Sequence, residues 1–158
     1  MARQIDDVER RVCASSACGF VYWGNPVPVV AALVQVQDKI LLARNVQWPS
    51  GQFSFIAGYL EHGETPQQAA VREVKEELGL DGQVSDFIGH FSFFQKNQLI
   101  LAFLVSATGT IKLGDELAET KLLSREEIKN HAFGDFEISA ALVREWLKKT
   151  ATLPPFDI

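Results

Sequence analysis

The stretch GYLEHGETPQQAAVREVKEELGL, residues 58–80, decides the fold of this chain. It predicts a helix with Thr65 as N-cap, because Pro66 suits the first helical position and Gln68 completes a T-x-x-Q capping box. Gly79 supplies the left-handed residue that ends the helix. The helix carries an apolar stripe that can pack on a sheet, made of Ala69, Ala70, Val74 and Leu78.

Three carboxylates share one face of this helix. Glu73, Glu76 and Glu77 stand at positions i, i+3 and i+4, which are neighbours on a helical surface. Like charges so close repel, and hard cations with oxygen ligands, Mg²⁺ or Mn²⁺, neutralise such clusters. The alternative is a solvated acidic face, because Arg72 and Lys75 partly offset the charge.

The wider spacing follows the pattern G-x5-E-x7-R-E-U-x-E-E-x-G-U, where U is apolar, and every specified position between residues 58 and 80 is filled. This stretch resembles the Nudix box of the Nudix hydrolase family. The resemblance implies the α/β class, an α/β/α sandwich with a mixed β-sheet between helices. It also implies hydrolysis of a nucleoside diphosphate linked to another moiety, X.

The resemblance further implies roles for the box residues. The metal ligands would be Glu73, Glu76 and Glu77, joined in this family by a backbone carbonyl near Ala57 or Gly58. Arg72 resembles the arginine that orients a box glutamate, and Glu64 the glutamate that supports the loop-helix corner. A divalent ion lowers the pKa of bound water, and a carboxylate can take the proton of that water. The sequence does not separate the base from the ligands.

Apolar runs and turn residues predict the remaining elements. The expected strands are 28–37, 39–45, 53–58, 84–94, 99–107, 110–113 and 119–123, and the expected helices are 124–130 and about 136–149. A turn at Asp38 and Lys39 joins the first two strands, and residues 152–158 cannot continue the last helix. We interpret residues 1–26 as an irregular N-terminal arm and residues 27–158 as the hydrolase domain.

Residues 13–34, CASSACGFVYWGNPVPVVAALV, resemble the join between zinc ribbon and catalytic domain in the NADH pyrophosphatase branch of the family. Cys13 and Cys18 have four residues between them and no second pair follows, whereas a structural zinc site needs four ligands. We therefore expect free thiols rather than zinc, and the arm would be a vestige of the ribbon. The SQPWPFP string of that branch is absent, and Phe93 stands where its tryptophan would fall.

Four further side chains are candidates for the site, each with a structural alternative. Glu116, within GDELAE, aligns with a fourth acidic metal ligand or is a loop acid, with Glu119 as the fallback ligand. Tyr59 follows the box glycine, where the branch places an aromatic that stacks on the substrate, or else it packs on the surface. Trp48 is a base contact or hydrophobic packing. Arg44 binds a phosphate or forms a surface ion pair.

Composition narrows the partners. The 158 residues carry 15 Lys and Arg against 20 Asp and Glu, a net charge of −5, so we expect no nucleic acid partner. No apolar run approaches the roughly 20 residues of a membrane span. The polar N-terminus lacks an apolar signal region, so we expect a cytoplasmic protein.

The expected function is metal-dependent cleavage of a diphosphate in a dinucleotide or nucleotide sugar, such as NADH or ADP-ribose. Two alternatives remain at this point. One is a house-cleaning pyrophosphatase of nucleoside triphosphates, and the other is a non-catalytic nucleotide sensor. The aromatics Tyr22 and Trp23 suggest a docking surface, and the resembling branch implies a homodimer.

Overall fold

A small sheet and a large sheet contain the strands of this protein. In the computed structural model, which describes residues 1–151, the small sheet has antiparallel strands in the order β1-β2-β3. Their bounds are Ala2–Ile5 (β1), Val8–Val12 (β2) and Val21–Tyr22 (β3). The expectation of an irregular arm was wrong. Asp6 and Asp7, with φ of 51° and 61°, form the hairpin turn, and this pair lacks the glycine that usually signals such a turn.

The large sheet is mixed, as predicted. Its strands are β4 (Val27–Val36), β5 (Lys39–Asn45), β6 (Ile56–Tyr59), β7 (Asp81–Phe93), β8 (Gln98–Thr108) and β9 (Leu117–Leu123). The order is β7-β8-β4-β5-β9, and β4 runs parallel to β8. β5 and β6 share the other edge of β4, β5 pairing with residues 34–36 and β6 with residues 29–32. β6 ends at Tyr59, so the chain passes from this strand directly into the rest of the box.

Helices cover both faces of the large sheet. They are α1 (Pro66–Leu78), α2 (Arg125–Lys129) and α3 (Glu137–Ala151). Successive residues of β4 alternate between two cores, as a strand buried on both faces must. The α1 core takes Val30, Ala32 and Val34, and the α3 core takes Val29, Ala31 and Leu33. Within residues 1–151, no helix combines the length and the apolar character that a membrane crossing requires.

Helix α1 has the caps that its sequence predicts. The Thr65 hydroxyl accepts from the backbone N–H of Gln68 over 3.2 Å, and the Gln68 side chain accepts from the N–H of Thr65 over 2.8 Å. Gly79, with φ of 69°, ends the helix in the left-handed conformation. All four residues of the apolar stripe are fully buried. This packing fixes which face of α1 the carboxylates occupy.

Several smaller predictions need correction. Residues 110–113 form no strand, because the N–H of Lys112 donates to the carbonyl of Leu78 at the end of α1 rather than to a strand. The strand predicted at residues 53–58 begins only at Ile56, although Ser54 makes one isolated bridge. The hairpin between β4 and β5 turns at residues 37–38 rather than 38–39. The prediction about residues 152–158 lies outside the described residues.

Candidate active site

The box glycine lies where strand β6 meets helix α1. A Cβ atom at Gly58 would coincide with the carboxylate of Glu73. Only a glycine therefore lets Glu73, which is 14% exposed, lie directly against the backbone of β6. This close approach brings a carboxylate and the main chain of residue 58 together.

Arg72 joins the loop before α1 to the helix. Its guanidinium donates to both carboxylate oxygens of Glu64, over 2.8 and 3.1 Å. Glu64 also accepts from the backbone N–H of Glu61 over 2.7 Å. The pKa of Glu64 is lowered, first by the hydrogen bond from Arg72 and then by that from Glu61, whereas hydrogen bonding to Glu64 raises the pKa of Arg72. The bidentate pair holds the corner at residues 61–65 in place.

The same guanidinium reaches two box glutamates. Arg72 Nη1 donates to Glu73 over 2.7 Å and to Glu76 over 3.1 Å, and Nη2 donates to the carbonyl of Tyr59 over 3.0 Å. Arg72 therefore orients Glu73 and Glu76 and offsets part of their charge.

Glu77 lies in a field of like charge. Burial, followed by the charges of Glu73 and Glu116 and with a smaller effect from Glu76, raises the pKa of its carboxyl group to about 8. None of the ion pairs formed by the described residues includes Glu77. In water a glutamate has a pKa near 4.5. The protein therefore holds a carboxylate where negative charge is already in excess.

The loop after β8 brings Glu116 to this place. The N–H of Gly114 donates to the carbonyl of Glu77 over 2.8 Å, and the N–H of Val46 donates to the carbonyl of Glu116 over 2.8 Å. A Cβ at Gly114 would lie 3.0 Å from the carbonyl oxygen of Glu76. The loop thus packs on the last turn of α1 and carries the charge of Glu116 towards Glu77.

The donor set fits a divalent cation. Carboxylate oxygens are what Mg²⁺ and Mn²⁺ prefer, and a cation would relieve the repulsion that raises the pKa of Glu77. As the side chains stand in residues 1–151, no three acidic, histidine or cysteine groups form a complete cage. Arg72 engages Glu73 and Glu76 in ion pairs, so their side chains would turn towards a cation on binding.

Arg44 and Trp48 brace the edge of the large sheet. Arg44 Nε donates to Glu119 over 2.6 Å, and Nη1 donates to the carbonyl of Trp48 over 3.0 Å. The Trp48 ring packs on Phe136, with ring centroids 4.7 Å apart. Arg44 therefore forms an ion pair and Trp48 makes a hydrophobic contact, which are the structural alternatives given for them. Glu119, the fallback metal ligand, is the partner of Arg44 in that ion pair.

Tyr59 and Phe93 differ in their availability to a substrate. Tyr59 is 60% exposed, and its hydroxyl accepts from Gln98 Nε2 over 3.4 Å. Phe93 is half-buried against the α3 core, with Lys96 Nζ 5.8 Å from its ring centroid. Sequence reasoning missed Gln98, because its place beside Tyr59 depends on the parallel pairing of β4 with β8, which no local motif signals.

The family model of the NUDIX domain matches residues 24–150. The chain belongs to the Nudix family. The resemblance carried by residues 58–80 is therefore confirmed. Divalent metals such as Mg²⁺ are general in Nudix hydrolases.

This Nudix chain is similar to curated proteins from all three domains of life. It is 35% identical over 96 residues to the "NAD-capped RNA hydrolase NudC" of Vibrio atlanticus (strain LGP32), covering 60% of this chain and 36% of that protein. It is 29% identical over 139 residues to the human "NAD(P)H pyrophosphatase NUDT13, mitochondrial", covering 86% of this chain and 37% of that protein. It is 30% identical over 115 residues to the "ADP-ribose pyrophosphatase" of Methanocaldococcus jannaschii, covering 69% of this chain and 68% of that protein.

Two conclusions follow from these relatives. The names of the first two fit the NADH pyrophosphatase branch, which confirms that part of the resemblance. The Nudix chain spans only about a third of the length of those two proteins (36% and 37%).

A solved structure shows the same fold. The crystal structure of a Nudix hydrolase from Nitrosomonas europaea matches with a TM-score of 0.81 at 23% identity, covering 99% of this chain and 90% of that one. The predicted α/β/α sandwich is thereby confirmed.

Proposed function

We propose that this Nudix chain is a divalent-metal-dependent pyrophosphohydrolase that cleaves the diphosphate of a nucleoside diphosphate linked to X. The observation that carries the proposal is the position of Glu77, half-buried near Glu73 and Glu116, whose charges and burial raise its pKa to about 8. Perturbed carboxylates of this kind gather at functional sites. Nothing in the packing of α1 against the sheet requires a carboxylate there.

The box residues would divide the work of hydrolysis. When bound, Mg²⁺ or Mn²⁺ neutralises phosphate oxygens and lowers the pKa of water. The groups that would hold it are Glu73, Glu76, Glu77, Glu116 and the backbone carbonyl at residue 57 or 58. One of the box glutamates takes the proton of the attacking water, and Arg72 keeps Glu73 and Glu76 oriented for that step. The P–O–P bridge is then cleaved in line.

The proposed substrate class is a dinucleotide or nucleotide sugar such as NADH or ADP-ribose. Relatives named for NAD(P)H and ADP-ribose support this class. Tyr59, exposed beside the box, offers a ring on which a base or nicotinamide can stack, a contact that contributes about 1–3 kcal/mol. A small molecule is favoured over a capped RNA because the chain has a net charge of −5. Arg44, Trp48 and Phe93 remain proposed substrate contacts.

Turnover and product analysis test the proposal. The purified chain is incubated with Mg²⁺ and, separately, NADH, ADP-ribose, oxidised nucleoside triphosphates and NAD-capped RNA, and products are identified by mass spectrometry. We expect AMP from the first two substrates. Turnover of triphosphates alone favours the house-cleaning alternative, and turnover of the RNA alone contradicts the small-molecule assignment. No turnover of any nucleotide with Mg²⁺ or Mn²⁺ contradicts catalysis.

A matched pair of variants ties the activity to the box. Glu76→Gln should lower the rate by orders of magnitude without unfolding the protein, because Glu76 is 59% exposed and its ion pair is with Arg72, which also binds Glu64 and Glu73. Glu126→Gln is the control, since Glu126 is an exposed glutamate on α2, on the other face of the sheet. Equal rates for the two variants would show that the carboxylate assignment is wrong.

We also propose a cytoplasmic homodimer. Phe20, Tyr22 and Trp23 expose 62%, 57% and 46% of their surface on or beside the small sheet, and exposed aromatics on one surface favour an interface. Light scattering on the purified chain would report the mass directly. A monomer at all concentrations would contradict the dimer.

A further inference from the structure

Cys13 and Cys18 face each other in the hairpin loop that joins β2 to β3. The N–H of Cys13 donates to the carbonyl of Phe20 over 3.1 Å, which extends the β2–β3 pairing by one residue. The N–H of Cys18 donates to the carbonyl of Ser15 over 3.1 Å and folds the intervening residues into a turn. The two side chains lie within hydrogen-bonding reach of each other. The loop therefore presents two thiols as a pair.

The two thiols differ in their surroundings. Cys13 is half-buried and Cys18 is exposed, and both are free. Hydrogen bonds from the Ser15 backbone and then from the Cys18 side chain lower the pKa of the Cys13 thiol. Because the thiolate is the nucleophile, Cys13 is the better attacking group, and Cys18 is placed to react with an oxidised Cys13 sulfur.

We propose that Cys13 and Cys18 are an oxidisable dithiol that hydrogen peroxide closes to an intramolecular disulfide. The Cys13 sulfur attacks one peroxide oxygen, the O–O bond breaks, and Cys13 becomes a sulfenic acid as the other oxygen leaves as water. The Cys18 sulfur then attacks the sulfenic sulfur, so the S–S bond forms, the S–O bond breaks and a second water leaves. Two electrons pass from the sulfurs to the peroxide, and small thiols reverse the reaction.

The structure favours this chemistry over a metal site at the same pair. A structural zinc ion takes four protein ligands, and among residues 1–151 no third histidine, cysteine or acidic side chain joins the two thiols. The pair also lies in a loop of the small sheet, which shares no strand with the sheet that carries the box. The proposal is therefore independent of the proposed hydrolase activity.

Mass spectrometry and thiol counting on the full chain test the proposal. The reduced protein should contain two reactive thiols, and stoichiometric peroxide should remove both and lower the intact mass by about two units, the mass of two hydrogens. Peptide mapping should join the peptides of Cys13 and Cys18. Cys18→Ser should instead accumulate a sulfenic acid on Cys13 that dimedone traps, whereas Cys13→Ser should react more slowly with peroxide.

Three results would overturn the proposal. The first is an oxidised protein that keeps two reactive thiols. The second is oxidation that yields only disulfide-linked dimers, visible on a non-reducing gel. The third is a purified protein with stoichiometric zinc that blocks both thiols, which would make the loop a metal site.

Discussion

Two helices of this protein begin with the same signals and hold their glutamates in opposite environments. Both α1 and α2 start with a complete capping box, at Thr65 and at Ser124. In α2 the backbone and hydroxyl of Ser124 hydrogen-bond to Glu127 and lower its pKa, and the side chain is solvated. In α1, burial and neighbouring carboxylates raise the pKa of Glu77 to about 8.

The difference shows what separates a functional acidic cluster from an ordinary one. Glutamates in the first turn of a helix face unpaired N–H groups and water, which favour the charged form. Glu77 lies in the last turn, near Glu73 and the loop that carries Glu116, and these surroundings disfavour its charge. The number of glutamates is similar in the two helices, so their position relative to the sheet and loops decides their role.

The largest expected effect comes from removing the carboxylate of Glu77, whose environment distinguishes α1 from α2. Glu77→Gln should reduce kcat by about 10²–10⁴-fold, because it removes a metal ligand or general base. Glu127→Gln should leave kcat unchanged, because glutamine also completes a capping box at this position. Steady-state kinetics with saturating Mg²⁺ measure both variants. Similar kcat values for the two would remove the distinction drawn between the helices.

The next effect concerns the close contact between α1 and β6. Gly58→Ala places a Cβ on the carboxylate of Glu73, which is the far end of a flexible side chain and must swing away from the backbone of β6. We therefore expect the rate of hydrolysis to fall more than the stability, because Glu73 leaves its place while the fold needs only a side-chain movement. Gly19→Ala is the matched control, since a Cβ there meets nothing within 4 Å. Steady-state kinetics and urea unfolding compare the two variants, and an unchanged rate for Gly58→Ala would contradict the contact.

A smaller effect is the pH dependence of the metal-free protein. The folded pKa of Glu77 is about 8 against an ordinary value of 4.5, so the folded state binds the extra proton between these values. Its contribution to stability is therefore present below pH 4.5 and is lost as the pH rises through 8. Glu127 acts in the other direction, because its lowered pKa stabilises the fold above its ordinary value.

Urea unfolding in EDTA across this pH range would measure that dependence. Wild type should lose stability relative to Glu77→Gln as the pH rises, and added Mg²⁺ should restore it in wild type. Parallel profiles for the two proteins would mean that Glu77 titrates normally.

The smallest effect concerns the N-cap hydroxyls with which both α1 and α2 begin. Ser124→Ala and Thr65→Ala should each lower the unfolding free energy by about 1 kcal/mol, the usual value of an N-cap. Neither hydroxyl contacts a box carboxylate, so kcat should be retained. Thermal unfolding measures the loss, and a large fall in kcat for Thr65→Ala would show that the cap also positions the box.

Local signals predicted a large part of the fold. The caps of α1 and its buried stripe follow from residues within one helical length, and strands β4, β5 and β8 follow from apolar runs. The small sheet was missed because its Asp6-Asp7 turn lacks a glycine and its strands are largely exposed. Residues 110–113 were misassigned because the N–H of Lys112 bonds to the carbonyl of Leu78 at the end of α1 rather than to a strand.

The candidate site also has a part that the sequence predicted and a part that only the folded chain shows. The box pattern indicated Glu73, Glu76 and Glu77 and the metal they would hold, because helical spacing alone puts them on one face. Their placement as metal ligands, and that of Glu116, stays a prediction. For Arg44 and Trp48 the sequence left both interpretations open, and the ion pair to Glu119 and the contact with Phe136 needed the folded sheet edge.

By itself, the sequence determined the family, the capped helix and the types of side chain that carry the chemistry, because these depend on contacts a few residues apart. Only the tertiary structure decided which carboxylate lies in a field of like charge and that Gln98 contacts Tyr59. Only it decided that two thiols face each other. Each of these depends on how sheets and loops meet, and no local spacing contains that information.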